Sequence, residues 1–343
     1  MRIVSLVLTL AGRRLLVDGP QSFVERIVAE MTPTCVQAPA GADADWRLMV
    51  CPGPAHRGSA GDHPELRLRP GGPAVTIMEN TRDRLRVAGR YRRHSTAVCM
   101  EARLGDHVTR VMPSSLDDDQ MHWALWLAKV FFASRLLADG WRMVHASAVA
   151  VRGRALMILA PSRGGKSVLA HLVCRDLGVG FLADDLVLLG PDGTVAGWPT
   201  RVCLPPTLVP QGVGRRDDDA ARPRVILQRP EHRALGIDHS GPCPIGAVIH
   251  VRGANGHAVA PSLAPSGAQR PGWAAAERIP VQRMYTSDLL GLTGGPAVTG
   301  RPVPLSQVLS DVVEVELVTQ HPIGPEAVEA LAALLPSAWA RHP

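Results

Sequence analysis

Residues 155–189 read ALMILAPSRGGKSVLAHLVCRDLGVGFLADDLVLL. The apolar run Ala155–Leu159 reads as a buried strand. It breaks into a tight glycine turn from Ala160 to Ser167, and VLAHLVCRDL then has helical spacing. Gly178 ends that helix, and GFLADDLVLL reads as a second buried strand with Asp184 and Asp185 in its middle. The turn is close to the phosphate-binding pattern G-x-x-x-x-G-K-[ST], with Ala160 in place of the first glycine. Inward-facing backbone N–H groups make such a turn a concave anion site, and the following helix adds its positive end.

The residue types suit that chemistry. The residues expected at a nucleotide are Ala160, Pro161, Ser162, Arg163, Gly164, Gly165, Lys166, Ser167 and Val168. Lys166 is expected to set its ammonium against the β and γ phosphates. The Ser167 hydroxyl is expected on Mg²⁺, which prefers oxygen ligands and keeps phosphates and waters in its shell. An acidic residue on the next strand is expected to hold the metal or to accept a substrate proton. Lys129 and Lys166 are the only lysines, against 35 arginines (37 basic residues minus these two). A lysine at this position in so arginine-biased a chain points to a need for lysine there.

A length of 343 residues implies two domains. With 46% hydrophobic and 20% charged residues the composition is globular rather than disordered. The net charge of +6 and pI near 9.4 are modestly basic. The arginines are scattered, however, and the chain has only four Phe and two Tyr, which argues against nucleic-acid binding. Cys35, Cys51, Cys99, Cys174, Cys203 and Cys243 show no C-x-x-C spacing, so the expectation is reduced thiols in a cytoplasmic protein, without a zinc site. IVSLVLTLA near the N-terminus imitates a short signal peptide. Gly12-Arg13-Arg14 and LLVDG follow directly, and the segment reads better as a β-hairpin. No apolar run reaches 18 residues, so no membrane span is expected.

Residues 1–117 are read as an antiparallel, β-rich N-terminal domain of short alternating strands, with a turn at Pro70-Gly71-Gly72 and a loop over 54–63. No catalytic constellation is visible there; Asp83, Arg90, Arg92, Arg93 and His94 read as a solvated face. A second domain, 118–343, opens on a helix from about Asp119 to Ala138, with an acidic first turn and Gly140 closing it. WRMVHASAVAV (141–151) has β character and leads through Arg152-Gly153 into the strand before the glycine turn. His145 is isolated within it, and alone it would read as a core histidine.

The run HASAVAVRGRALMILAPSRGGKSVLAHLVCRDLGVGFLADDLVLL resembles the core of the HPr kinase/phosphorylase family and its relatives. In that family a His begins a short hairpin, the second strand delivers G-x-S-G-x-G-K-S, and a helix leads to a strand ending in A-D-D. The matching residues are His145, Ser162, Gly165, Lys166, Ser167, Asp184 and Asp185. The resemblance covers about 45 residues and implies an α/β phosphate-loop kinase core, shared with phosphoenolpyruvate carboxykinases. It also implies an ATP- and Mg²⁺-dependent enzyme that phosphorylates a hydroxyl, typically of serine, on a peptide or protein. The chain is nearer to relatives that modify ribosomally made precursor peptides, such as lasso peptides. The β-rich N-terminal region is unlike the regulatory domain of the HPr enzymes, and the glycine-rich basic signature of the bifunctional members is missing.

On this resemblance His145, Lys166, Asp184 and Asp185 are the expected catalytic residues, and Ser167 and Asp185 the expected metal ligands. Spacing alone does not assign which aspartate is the base and which meets the metal. The expected partner is a peptide or small protein acceptor, with no nucleic acid and no membrane, and homo-oligomerisation is left open. The alternatives are a nucleotide-dependent binding module without turnover, or a kinase acting on a small metabolite. Arg163 stands where the family has a glycine, so it either alters the loop's curvature or points outward over the nucleotide. Further on, Arg201 reads as a surface residue, with contact to nucleotide or substrate as the alternative, 211–223 as a mobile loop of the lid or substrate-facing kind, 244–253 as a buried strand and 254–277 as loop. Tyr285–Leu292 reads as a short helix, 312–318 as a strand and Pro325–Leu335 as a terminal helix.

Overall fold

The computed structural model describes residues 2–32, 34–38, 41, 43–54, 65–67, 73–91, 96–217, 223–253, 262–265, 273, 276, 304–320 and 322–339. The turn at Pro70-Gly71-Gly72, most of 54–63, Arg92, Arg93, His94, Tyr285–Leu292 and most of 254–277 lie outside the described residues. The chain divides into two compact units: Met1–Gly140 belongs to the first, and the second begins at Trp141.

In the first unit, β1 (Ile3–Leu10) and β2 (Arg13–Pro20) form the hairpin expected of the N-terminal segment. Its two-residue turn, Ala11-Gly12, has φ of 48° and 83°, the turn type that matches strand twist. Then follow α1 (Gln21–Met31), β3 (Val36–Ala38), β4 (Trp46–Val50), β5 (Glu65–Arg67), β6 (Ala74–Asn80), β7 (Arg84–Arg90), β8 (Val98–Arg103), β9 (Val108–Met112) and α2 (Asp118–Ala138). The strands form one sheet in the order β3-β1-β2-β4-β9-β8-β7-β6-β5. The expectation of an antiparallel domain needs correction: β4 pairs parallel with both β2 and β9. A parallel neighbour requires a crossover longer than a hairpin turn. Between β2 and β4, α1 supplies it, burying Phe23, Val24, Ile27 and Met31 on one face.

The sequence boundary at 117/118 also shifts. Helix α2 packs within the first unit, where its Phe131 ring meets Trp46 of β4 at 6.1 Å. Trp123, Trp126, Phe131 and Phe132 are all buried. Asp117 caps the helix by accepting from the Gln120 N–H, and Asp118 and Asp119 occupy the first turn as expected.

The second unit contains β10 (Arg142–Val144), β11 (Ser147–Val151), β12 (Arg154–Leu159), α3 (Lys166–Leu177), β13 (Gly180–Ala183), β14 (Val187–Leu189) and β15 (Thr194–Gly197). After these come β16 (Val202–Leu204), β17 (Arg215–Asp217), β18 (Arg224–Leu227), α4 (Arg229–Ala234), β19 (Cys243–Gly253), β20 (Ser262–Pro265), α5 (Leu305–Val308), β21 (Val313–Thr319) and α6 (Pro325–Trp339). The main sheet runs β10-β14-β15-β19-β12-β11-β13, with β21 pairing β19 and β20. The pairs β12·β19 and β19·β21 are parallel. Strand β12 is covered on both faces, which is why its sequence is continuously apolar. Leu156 and Ile158 join the core that includes Leu169, Leu172 and Val173 of α3 and Leu331 of α6. Ala155, Met157 and Leu159 join the opposite core with Leu182 and Val248. The fold is therefore a mixed α/β architecture rich in sheet.

The single strand expected over GFLADDLVLL is in fact two. Strand β13 ends at Ala183, and β14 begins at Val187 and pairs with β10 and β15 instead. Between them Asp185 has φ 66°, a left-handed conformation that aspartate tolerates better than most residues. The turn is held by its surroundings: the Thr200 hydroxyl donates to the Asp184 carbonyl, and Trp198 N–H to the Leu186 carbonyl.

A buried polar chain ties α3 to α4 and to the segment that holds this turn. Arg229 donates from Nη2 to the Trp198 carbonyl at 3.1 Å and from Nη1 to His239 Nδ1 at 3.1 Å. His239 Nε2 lies 3.2 Å from His232 Nδ1, and His232 Nε2 lies 3.1 Å from His171 Nδ1. A guanidinium only donates, so His239 carries its proton on Nε2. Each imidazole then donates to the next, and all three are Nε2–H tautomers. Burial, with the neighbouring charges of Arg175 on His171, of the other two histidines and Arg229 on His232, and of Arg229 and Arg233 on His239, pushes their pKa values down to about 4, 3 and 3 respectively. No disulfide links the six cysteines. No helix among the described residues is long and apolar enough to cross a membrane.

Candidate functional site

The site is assembled at the end of β12. Gly165, with φ 88°, is the N-cap of α3 and brings no side-chain cap, so the free N–H groups of the first helical turn are left for a ligand. Gly164 is required by close approach: a Cβ there would stand 2.7 Å from the Ala160 Cβ and 2.9 Å from the Pro161 carbonyl oxygen. Ala160 is buried and stays outside the left-handed region, so a side chain stands at this position without strain. Arg163 does not: its φ is 66°, so the loop keeps a left-handed residue here at a backbone cost of about 1–2 kcal/mol.

Lys166 is buried and donates from Nζ to the Ala160 carbonyl at 3.1 Å. Burial pushes its ammonium pKa down, opposed by the charges of Asp184 and Asp185. The two aspartates occupy different environments. Asp184 is 3% exposed and accepts a hydrogen bond from the Ser147 hydroxyl at 2.7 Å. Burial pushes its carboxyl pKa up, against hydrogen bonds from Ser147 and Ser167. Asp185 has a side chain 57% exposed, with Oδ1 3.2 Å from His145 Nε2. That hydrogen bond holds its carboxyl below the usual range against desolvation, helped by the charges of His145, Lys166 and Arg224. His145 is fixed in turn by its backbone N–H, which donates to the Ala276 carbonyl at 2.9 Å.

These groups face one cleft of about 410 Å³. Its walls include Ser162, Arg163, Gly164, Gly165, Lys166, Ser167, Val168, His145 and Asp185 from the sequence-derived set. Ala160 lies buried behind the loop, and Asp184 sits beneath, reaching the site through Ser167. The sequence reading missed Ser147, Cys203, Thr207 and Arg224. A hydroxyl inside an apolar buried strand was a usable signal for Ser147; Cys203 and Arg224 come from a separate small sheet and Thr207 from the short 3-10 turn after its first strand, and these carried none. Arg201, read as a surface residue, is exposed.

The donor set at Ser167, Asp184 and Asp185 is all oxygen, which fits Mg²⁺. Among the described residues no group of three or more His, Cys, Asp and Glu is placed to hold a metal. A cation here would therefore take most of its ligands from phosphate oxygens and water.

The chain matches no family model, and no curated protein sequence matches it. Among solved structures it is similar to the Hpr(Ser) kinase/phosphatase from Coxiella burnetii. That likeness covers 58% of this chain and 95% of the other, at 12% identity and a TM-score of 0.28. So distant a likeness carries no argument, and the functional reading rests on the chain's own residues.

Proposed function

We propose that the second unit is a phosphate-loop kinase domain of HPr-kinase-like type that uses Mg²⁺ and ATP to phosphorylate a side-chain hydroxyl, typically serine, of a peptide or protein. A precursor of a ribosomal natural product is the acceptor this reading favours. The observation that carries it is the convergence of Lys166, Ser167, Asp185 and His145 on one cleft at the N-terminus of α3, with the buried Asp184 beneath them bonded to Ser147 and Ser167.

The division of labour follows from the surroundings. The first-turn N–H groups of α3 and the Lys166 ammonium bind and orient phosphate oxygens. Burial of Lys166 strengthens that attraction, because little water competes for the charge. Bound Mg²⁺ neutralises charge that develops on the transferred phosphoryl group. Asp184 shares hydroxyl hydrogens with Ser147 and Ser167, so it takes the metal-facing role. Asp185, half exposed and kept ionised beside His145, accepts the hydrogen bond of the incoming hydroxyl and finally its proton. This reverses the Ser167/Asp185 metal pair expected from sequence, and the reason is the break between β13 and β14. Phosphoryl transfer depends mainly on positioning and charge stabilisation, which is what these fixed groups supply.

The test is mass spectrometry of serine-containing peptides after incubation with Mg²⁺ and ATP. Wild type is expected to add one phosphoryl group, and Lys166→Ala and Asp185→Asn to lower the rate at least ~10²-fold. Tight ATP binding without ADP formation against any acceptor would favour a binding module. Turnover without peptide would favour a small-metabolite kinase. Absence of ATP binding would sink the proposal.

A further inference from the structure

One wall of the cleft belongs to a separate three-stranded antiparallel sheet of order β16-β18-β17. Its register separates its two faces. Cys203 stands opposite Ile226, which stands opposite Arg215, while Asp217 stands opposite Arg224. Directly opposed residues share a face, and so do residues two apart along a strand. One face carries Val202, Leu204, Val225 and Leu227, all buried in the core that also holds α3, and the exposed Arg216 opposite Val225. The other face carries Cys203, Ile226, Arg215, Arg224 and Asp217, all exposed or half-buried, with Arg201 two residues before Cys203. Cys203 and Arg224 line the cleft itself, so this face continues the cleft wall.

Its charge is one-sided. Among the described residues of this face, Arg201, Arg215 and Arg224 oppose the single Asp217. Across the described residues none of the three arginines has an ion-pair or side-chain hydrogen-bond partner, and neither has Arg163 on the phosphate loop. Some arginines elsewhere are paired, as Arg13 with Asp45 and Asp139, Arg84 with Glu101 and Arg252 with Glu316. Guanidinium groups that form no ion pair among the described residues, gathered beside the cleft, suit carboxylates, which they can bind bidentately.

We propose that this face docks the acceptor, and that the acceptor is an acidic peptide whose hydroxyl is flanked by Asp or Glu. The inference rests on the kinase reading, since it names the acceptor class for the same cleft. Ile226 supplies an apolar centre between the charges. Arg224 holds an acidic residue next to the hydroxyl that meets Asp185, while Arg201 and Arg215 hold acidic residues farther along the segment. The attraction is electrostatic, so it sets the encounter rate and the choice among acceptors and weakens with salt.

The experiment uses the full chain and two fluorescein-labelled probes, Asp-Asp-Ser-Asp-Asp and its counterpart with every Asp replaced by Asn. Fluorescence anisotropy at about 50 mM salt is expected to show at least tenfold tighter binding of the acidic probe. The double variant Arg201→Gln, Arg215→Gln is expected to remove most of that preference while leaving the affinity for a fluorescent ATP analogue unchanged. Both positions are exposed, so the variant should fold, and its circular dichroism should equal that of wild type. Equal affinity for the two probes overturns the proposal. So does a preference that survives the double substitution, or a loss that falls on the ATP analogue, which would make these arginines nucleotide ligands. Failure of wild type to bind the ATP analogue refutes the kinase reading instead, whatever the peptides do.

Discussion

Lowering the pH from 7 to 5 will destabilise the second unit through His171, His232 and His239. Their pKa values in the folded chain are about 4, 3 and 3, against 6.5 for an ordinary histidine. A depressed folded value means stability that is fully present above the unfolded pKa and is lost as pH falls below it. Between pH 7 and 5 an unfolded histidine gains about 1.9 kcal/mol from protonation. The folded chain gains almost none of this, so each member costs nearly that amount. Three together approach 6 kcal/mol, roughly the lower part of the whole stability of a typical domain. His232→Gln isolates one share. A Gln carbonyl can accept from His239 Nε2–H and its amide can donate to His171 Nδ1, so the polar chain survives without its middle titrating group. Urea unfolding of wild type and variant, followed by tryptophan fluorescence at pH 7, 6 and 5, measures the difference. Carboxylates titrate alike in both proteins and cancel. The loss on acidification is expected to be about 1.9 kcal/mol smaller in the variant. Equal losses, or side-chain nitrogen NMR showing any of the three histidines titrating near 6.5, would refute the reasoning.

Two further substitutions probe the glycine turn before α3 and the aspartate turn. Arg163→Gly removes a left-handed non-glycine residue, so thermal melting should rise by about 2–4 °C, the equivalent of about 1 kcal/mol; a lower Tm would show that the side chain holds the loop by contacts worth more than the strain. Asp184→Asn keeps an acceptor for the Ser147 hydroxyl while removing a buried charge. Its Tm should exceed that of wild type by a few degrees at neutral pH, and phosphorylation should be lost. Because burial raises the Asp184 pKa, wild type loses stability as pH rises above the unfolded carboxylate value, so the variant's advantage should shrink on acidification. A Tm below wild type at pH 7 would show that the ionised carboxylate stabilises the fold.

The loop and its flanks were legible because their signals are local. Strand β12 runs apolar for as long as it is covered on both faces, and the helix after the loop ends at Gly178 as read. His145 and Asp185, forty residues apart, were joined by the family resemblance, and the structure brings them to 3.2 Å. Helix α1 was overlooked although Phe23, Val24, Ile27 and Met31 repeat at helical spacing, because strand patterns on either side dominated the reading. The Asp184-Asp185 break was hidden because GFLADDLVLL is apolar throughout, apart from the two residues that interrupt it.

Residue types and local periodicity alone placed the glycine turn, its preceding strand, its helix and the acidic pair, because these depend on neighbours within a few residues of one another. Which strand lies beside which was decided only in three dimensions. The parallel pairing of β4, the splitting of β13 from β14, the different surroundings of Asp184 and Asp185, and the arginine face beside the cleft all depend on it. Pairing and register are settled by the burial of distant apolar faces against each other, and that competition leaves no mark at any single position of the chain.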